Sequence, residues 1–267
     1  MNTRTFNAFR TLIYEKSGIS LSDGKEPLIY SRVGKRMRAL GIDDYRTYLN
    51  HIVKDNSGQE VVYLLDAIST NVTSFFREND HFQFLAKVMK EWNASGLKRL
   101  RLWSAACSSG EEPYSMAMTA LETISDAYDV KILATDISTR ILEKAERGVY
   151  EAGKIKQMSR TLAERHFEKI SESDGFCYAV KPVLKNMIAF RRLNLSTPPF
   201  PMRGPLDIVF CRNVMIYFDN HVRQKLLAEI HRLLKPAGYL MVGHSESLIG
   251  LIRGFKAVQP SVYMKTG

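Results

Sequence analysis

The residues best suited to chemistry stand where apolar runs end. Leu100, Leu102 and Trp103 alternate with basic residues and predict a strand. The turn Ala106-Cys107-Ser108-Ser109-Gly110 follows, and Glu111-Glu112-Pro113 opens a helix, with proline in its first turn. Val130 to Thr135 predicts a second strand, which ends at Asp136. In open α/β sheets ligands bind outside the carboxyl ends of the strands, so Glu112 and Asp136 are directed to one place. They lie 24 residues apart (136 − 112), near the offset at which a dinucleotide fold puts its ribose-binding acid. A dinucleotide is still a poor match. The turn has one glycine rather than three, and two carboxylates occupy the helix N-terminus that would receive a pyrophosphate. A ligand with an adenosine, a positive charge and no phosphate suits both acids, and S-adenosylmethionine fits that description. The same acids also complement the helix dipole without any ligand. Asp136 has the alternative role of capping the next helix, for which Ser138 competes.

Two further segments are polar beside apolar strands. Asn71-Val72-Thr73-Ser74-Phe75-Phe76-Arg77 precedes the first strand, and Cys211-Arg212-Asn213-Val214-Met215-Ile216-Tyr217-Phe218-Asp219 follows the strand Leu206 to Phe210. Arg212 and Asn213 come at the strand's end, where a ligand or a capped turn would use them. Six histidines are scattered along the chain, no acid–base dyad is evident, and His244 reads as structural.

These groups must be positioned by two kinds of element. The first eighty-odd residues read as short helices. Phe6, Phe9, Leu12 and Ile13 recur at helical spacing, and residues 27–40 set Leu28, Ile29, Val33, Met37 and Leu40 against Arg32, Lys35, Arg36 and Arg38. That basic row suits either a solvated face or a docking surface. From about residue 96 strands and helices alternate, the pattern of a parallel sheet with crossover connections. Between Phe176 and Leu195 the pattern is extended, and a small antiparallel insert is expected there. No apolar run is long enough for a membrane span, and the first residues lack a secretory signal. Three separated cysteines, with no CxxC pair, argue against disulfides and zinc and for a reduced, cytoplasmic chain without a metal.

The stretches TNVTSFFRE (70–78), WSAACSSGEEPYS (103–115), ATDIS (134–138), FCRNVMIYFD (210–219), LLKPAGYL (233–240) and GHSES (243–247) closely resemble CheR, the chemotaxis-receptor methyltransferases of bacteria. The resemblance covers most of the chain in order. It implies an all-α N-terminal domain, residues 1–85, and an α/β methyltransferase domain, residues 86–267. The latter is a doubly wound, mostly parallel, Rossmann-like sheet carrying an antiparallel β-subdomain at about 173–195. It also implies methyl transfer from S-adenosylmethionine to glutamate side chains on the cytoplasmic helical bundle of chemoreceptors, with S-adenosylhomocysteine as coproduct. By the same resemblance Asn71, Thr73 and Arg77 contact the cofactor, and Arg77 is the candidate to orient the substrate carboxylate. Glu112 would sit by the methionine or adenosine moiety, Asp136 on the ribose, and Asn194 and Leu195 near the adenine. Arg212 and Asn213 match the family's RN pair, and Tyr217 matches a tyrosine near the transferring methyl. Cys107 stands where a smaller residue is common. The protein is expected to be a monomer without membrane insertion. In some relatives a C-terminal receptor tether docks on the β-subdomain.

A glutamate carboxylate, with a reference pKa of about 4.3, is already ionised at neutral pH, so the transfer needs orientation rather than a general base. Net charge gives the main alternative. Thirty-eight Lys+Arg against 28 Asp+Glu leave +10, which suits nucleic acid, an anionic membrane or an acidic protein. The balance is +1 over residues 1–85 (11 against 10) and +9 over 86–267 (27 against 18). A nucleic-acid methyltransferase would carry an Asn/Asp-Pro-Pro-Tyr/Phe motif after the fourth strand, where this chain reads Cys211-Arg212-Asn213-Val214-Met215. No nucleic-acid partner is therefore expected. A non-catalytic S-adenosylmethionine-binding scaffold is the remaining alternative, and the intact motifs weigh against it.

Overall fold

The computed structural model describes residues 2–69, 71–124, 129–172, 175–248, 250–251 and 253–266. Residue 70 of the first motif and positions 173 and 174 of the expected insert lie outside them. The chain opens with α1 (Thr3–Ser17), α2 (Glu26–Leu40), α3 (Tyr45–Lys54) and α4 (Gln59–Ile68). Their apolar stripes meet in one cluster that includes Phe9, Ile13, Ile29, Tyr48 and Leu64. Two cations of the basic row on α2 are spent inside this bundle. Arg36 makes a fork to Glu60 (2.7 and 2.9 Å), and Arg32 donates to the carbonyls of Ile68 and Ser69 at the end of α4. Those carbonyls have no helical partner of their own, so the guanidinium satisfies them.

There follow α5 (Asp80–Ala94), β1 (Arg99–Ser104), α6 (Glu111–Thr123), β2 (Asp129–Asp136), α7 (Thr139–Arg147), β3 (Val149–Glu151), α8 (Ala152–Ile155), α9 (Arg160–His166), β4 (Phe167–Glu172), β5 (Gly175–Val180), α10 (Pro182–Lys185) and β6 (Ile188–Arg192). The chain ends with β7 (Leu206–Phe210), a 3-10 turn (Met215–Tyr217), α11 (Asn220–Leu233), β8 (Leu234–Met241), β9 (Phe255–Gln259) and β10 (Val262–Lys265). The main sheet has seven strands in the order β6-β2-β1-β7-β8-β10-β9. β6, β2, β1, β7 and β8 run parallel, and β10 and β9 are antiparallel additions. The order reverses direction at β1, between β2 and β7, which opens a crevice at their carboxyl ends. Helices cover both faces, and each face has its own apolar cluster.

Two boundaries differ from the sequence reading. The expected domain boundary at residue 85 falls inside α5, which puts Phe82, Leu85, Val88 and Met89 into the cluster beneath the sheet. A helical period reveals that a helix has an apolar face but not which core receives it. The antiparallel insert is also displaced. Its strands are β3, β5 and β4, at 149–180. Residues 188–192, expected inside it, are β6, which pairs parallel with β2 from Ile188–Ile132 to Arg192–Asp136. An edge strand is half-solvated, so its alternation looks like that of a hairpin strand.

Candidate active site

A cavity of about 510 Å³ opens at the switch point. Its floor is the turn after β1, with Ala105, Ala106 and Ser108, and the first turn of α6. Gly110 begins that helix at φ 94°, and a Cβ there would stand 2.9 Å from the Tyr150 hydroxyl and 3.0 Å from Ala145 Cβ, which explains the turn's one glycine. The helix separates the two acids. Glu111 turns into the protein, where it accepts from Ser109 Oγ (2.6 Å) and pairs with Lys154 (3.0 Å). Glu112 lines the cavity.

Glu112 is held from two sides. Ser104 Oγ donates to its Oε1 (2.7 Å), and Arg212 Nη1 to its Oε2 (3.2 Å). Burial pushes its carboxyl up, and Arg212 opposes this. Asp136, at the tip of β2, accepts from the backbone N–H groups of Ser108 (2.9 Å) and Ser138 (3.0 Å), and burial raises it as well. Ser138, not Asp136, caps α7, accepting from Ile141 N–H at 3.3 Å. The Asp136 carboxylate keeps acceptor capacity for a further donor.

The 71–79 loop forms one wall. Lys154 Nζ donates to Thr73 O (2.8 Å) and the Phe76 N–H to Ser115 Oγ (3.0 Å), which fastens it to the domain beneath. Phe76 and Glu78 take φ of 53° and 54°, so this loop is sharply folded without glycine. Arg77 is half-buried, and its guanidinium donates to Val72 O (2.8 Å). The opposite wall follows β7. Arg212 is buried, and its guanidinium donates to Glu78 Oε2 (3.0 Å), to Glu112 and to the Arg77 carbonyl. Asn213, at φ 57°, donates Nδ2 to Glu78 Oε1 (3.2 Å). Arg212 and Asn213 thus lock the Arg77 loop to the strand ends. Burial acts to raise the Glu78 carboxyl, yet Arg212 and Asn213 hold it below the usual carboxylate range.

The remaining walls come from afar. Asn194 and Leu195 follow β6, and Ile19, Ser20 and Lys25 come from the α1–α2 connection. That connection and the last turn of α1 are bonded to the Tyr217 segment: Ser20 N–H donates to Tyr217 O (2.8 Å), Ile19 bridges Phe218, and Tyr14 of α1 donates to Asp219 Oδ2 (2.6 Å). Asn194 Nδ2 donates to Lys16 O (2.9 Å). Asn71, Thr73, Arg77, Glu112, Asp136, Asn194, Leu195, Arg212, Asn213 and Tyr217 all line this one cavity.

Sequence reasoning missed several supports. The sequence alone gives Glu78 no role. Glu246, in GHSES, accepts from four backbone N–H groups, those of Gly243 (2.6 Å), Asn213 (2.8 Å), Val214 (3.0 Å) and Ile216 (3.3 Å), and so shapes the loop that carries Tyr217. An acid beside small residues in a polar motif was the available signal. Among the described residues, Glu78, His81 and His244 bring metal-ligand atoms within 4.8 Å of one another. Glu78 is committed there to Arg212, and His244 to Asp80 (3.1 Å).

Comparison with known proteins accounts for nearly the whole chain. The family model described as the CheR methyltransferase all-alpha domain matches residues 4–69, and that of the CheR methyltransferase SAM binding domain matches 71–264. The chain belongs to the CheR methyltransferase family. The chemotaxis protein methyltransferase of Salmonella typhimurium is 38% identical over 259 residues, covering 97% of this chain and 88% of that protein. That of Escherichia coli is 38% identical over 259 residues, covering 97% and 89%, and that of Borreliella burgdorferi 37% over 262 residues, covering 95% and 91%. As a CheR methyltransferase the chain is an S-adenosylmethionine-dependent enzyme. The lining fits that ligand: two carboxylates face the cavity, the first turn of α6 is acidic, and Ile137, Leu193 and Leu195 provide an apolar wall. Among the described residues no helix is long and apolar enough to cross a membrane.

Proposed function

We propose that this enzyme methylates glutamate side chains on the cytoplasmic helical bundle of bacterial chemoreceptors, forming methyl esters that adjust receptor output. The observation that carries this reading is the meeting of Arg77, Tyr217, Glu112 and Asp136 in one cavity of a CheR methyltransferase. When bound, S-adenosylmethionine supplies an electrophilic methyl that a carboxylate oxygen takes in line as the S–C bond breaks toward sulfur.

The chain's own residues bind and orient. Asp136 accepts the ribose hydroxyls, and the Leu195 wall receives the adenine beside Asn194. Glu112 gives the cationic end of the ligand a counter-charge. Asn71 and Thr73 complete the cofactor wall. Arg77 turns its guanidinium to the incoming carboxylate, whose two oxygens suit a planar fork. Tyr217 borders the position of transfer. Arg212 and Asn213 act mainly by holding Glu112 and the Arg77 loop, since their side-chain bonds run to Glu112, Glu78 and the Arg77 carbonyl. On the packing of α5, the helical domain ends near residue 70, and the β-subdomain is the β3-β5-β4 sheet. β4 lies at that sheet's edge, where an extended receptor tether would add a strand.

Tritiated methyl from labelled S-adenosylmethionine should enter a receptor cytoplasmic fragment, and mild base should release it as methanol. Label that entered DNA or RNA, or that stayed bound through base, would overturn the reading.

A further inference from the structure

Glu111, next to the acid that lines the cavity, is turned into the protein and only 1% exposed. Ser109 Oγ donates to its Oε2 (2.6 Å). Among the described residues no donor hydrogen-bonds its Oε1, and the compensating charge is the Lys154 ammonium, 3.0 Å away. A carboxylate so enclosed is costly to ionise without a paired cation. The same ammonium donates to Thr73 O at 2.8 Å. Lys154 stands on α8, and the next residue, Ile155, is buried in the cluster beneath the sheet. The β-subdomain thus sends one cation both to the first turn of α6 and to the loop that carries Arg77.

The two halves of that loop are held differently. Ser115, Arg212 and Asn213 tie its second half, at Phe76, Arg77 and Glu78. In its first half, Lys154 binds Thr73 O, and Ser108 Oγ donates to Asn71 O at a longer 3.3 Å. A charged donor at 2.8 Å is the stronger of these two. Val72, whose carbonyl accepts from the Arg77 guanidinium (2.8 Å), shares a planar peptide unit with Thr73. With five donors, Arg77 can keep that bond while its fork faces the acceptor, so the carbonyl sets the direction of the fork.

We propose that Lys154 is a positioning residue for the methyl transfer: anchored by Glu111, its ammonium fixes the Thr73 carbonyl and so aims the Arg77 guanidinium. The inference rests on the proposed orienting role of Arg77. The test measures kcat and KM on a receptor cytoplasmic fragment, S-adenosylhomocysteine affinity by calorimetry, and thermal unfolding. Lys154→Met leaves the Glu111 charge buried alone and should lower the Tm by several degrees. Adding Glu111→Gln removes that charge and should restore most of the Tm. In this double variant kcat should stay about tenfold or more below the parent, with coproduct affinity within about threefold. Lys154→Arg, which keeps a cation and its donors, should hold kcat within about threefold. Added to Arg77→Ala, the Lys154→Met and Glu111→Gln pair should lower kcat no further, because all three act on one group. Recovery of kcat together with Tm in the double variant overturns the proposal and leaves Lys154 only the neutralisation of Glu111. A full, additive loss in the Arg77→Ala background overturns it as well. Near-normal turnover by Arg77→Ala alone would instead overturn the orienting role beneath it.

Discussion

At the scale of the residue, the site separates groups that face the cavity from groups that hold them. Arg77 faces it with its guanidinium bonded to the Val72 carbonyl, whereas Arg212 is enclosed between Glu78 and Glu112. Arg77→Ala should lower turnover on receptor on the order of 10²-fold, the scale of a misplaced reactant. Tyr217→Phe, which keeps the ring, should stay within about tenfold. Near-normal methylation by Arg77→Ala would remove its orienting role. His81 adds a pH dependence. It is fully buried among Glu78, Asp80, Arg212 and His244, and burial, reinforced by Arg212, depresses it from 6.5 to about 4. The folded state therefore keeps His81 neutral while the unfolded chain takes up a proton below pH 6.5. Stability from this group is complete above 6.5 and declines as pH falls toward 4. Urea unfolding should show a loss of about 2 kcal/mol between pH 7 and pH 5 that His81→Gln largely abolishes.

At the scale of the element, the cavity is built from connections, and its precision depends on buried acids that bind backbone. Glu246 gathers the 213–216 and 243 segments, and Gly243 lets them close. A Cβ at Gly243 would stand 2.4 Å from Asn213 Nδ2 and 2.9 Å from Glu246 Oε2. Gly243→Ala should cost about 1–3 kcal/mol in thermal or urea unfolding and weaken S-adenosylhomocysteine binding in calorimetry. Gly153→Ala in α8 is the control, because nothing lies within 4 Å of its Cβ position. It should leave binding unchanged and be neutral or slightly stabilising. Strand-end placement of Glu112 and Asp136 was legible because a parallel sheet fixes where its strands point. The separation of Glu111 from Glu112 was not, because adjacent helical residues differ by a rotation whose origin the sequence leaves open.

At the scale of the whole molecule, the N-terminal helices complete the site as well as precede it. Ser20 bonded to Tyr217, Tyr14 to Asp219 and Lys16 to Asn194 bring residues some 180 to 200 positions apart into one wall. The balance of charge remains uneven, +9 over residues 86–267 against +1 before them. Exposed charge of one sign speeds encounter with an acidic receptor bundle and is screened by salt within about 10 Å at 0.1 M. Stopped-flow association with a receptor fragment should therefore slow as ionic strength rises, with turnover at saturating receptor changing much less. An association rate independent of salt would remove the steering role.

Glu112, Asp136, Arg212 and Asn213 were legible as polar residues at strand ends, and the alternation of strand and helix indicated the parallel core; both follow from local rules of period, capping and the direction of strands in crossover units. Asn71, Thr73, Arg77, Asn194, Leu195 and Tyr217 were singled out only through the resemblance to CheR. Four things were decided only in three dimensions. They are the partner of α5, the transfer of residues 188–192 from the insert to the main sheet, the burial of Arg212 between two acids, and the closure of the cavity by the α1–α2 connection. Each depends on which surfaces meet across long stretches of chain. Apolar period reports that a face will be buried, while the identity of its partner is set by packing among all the faces at once.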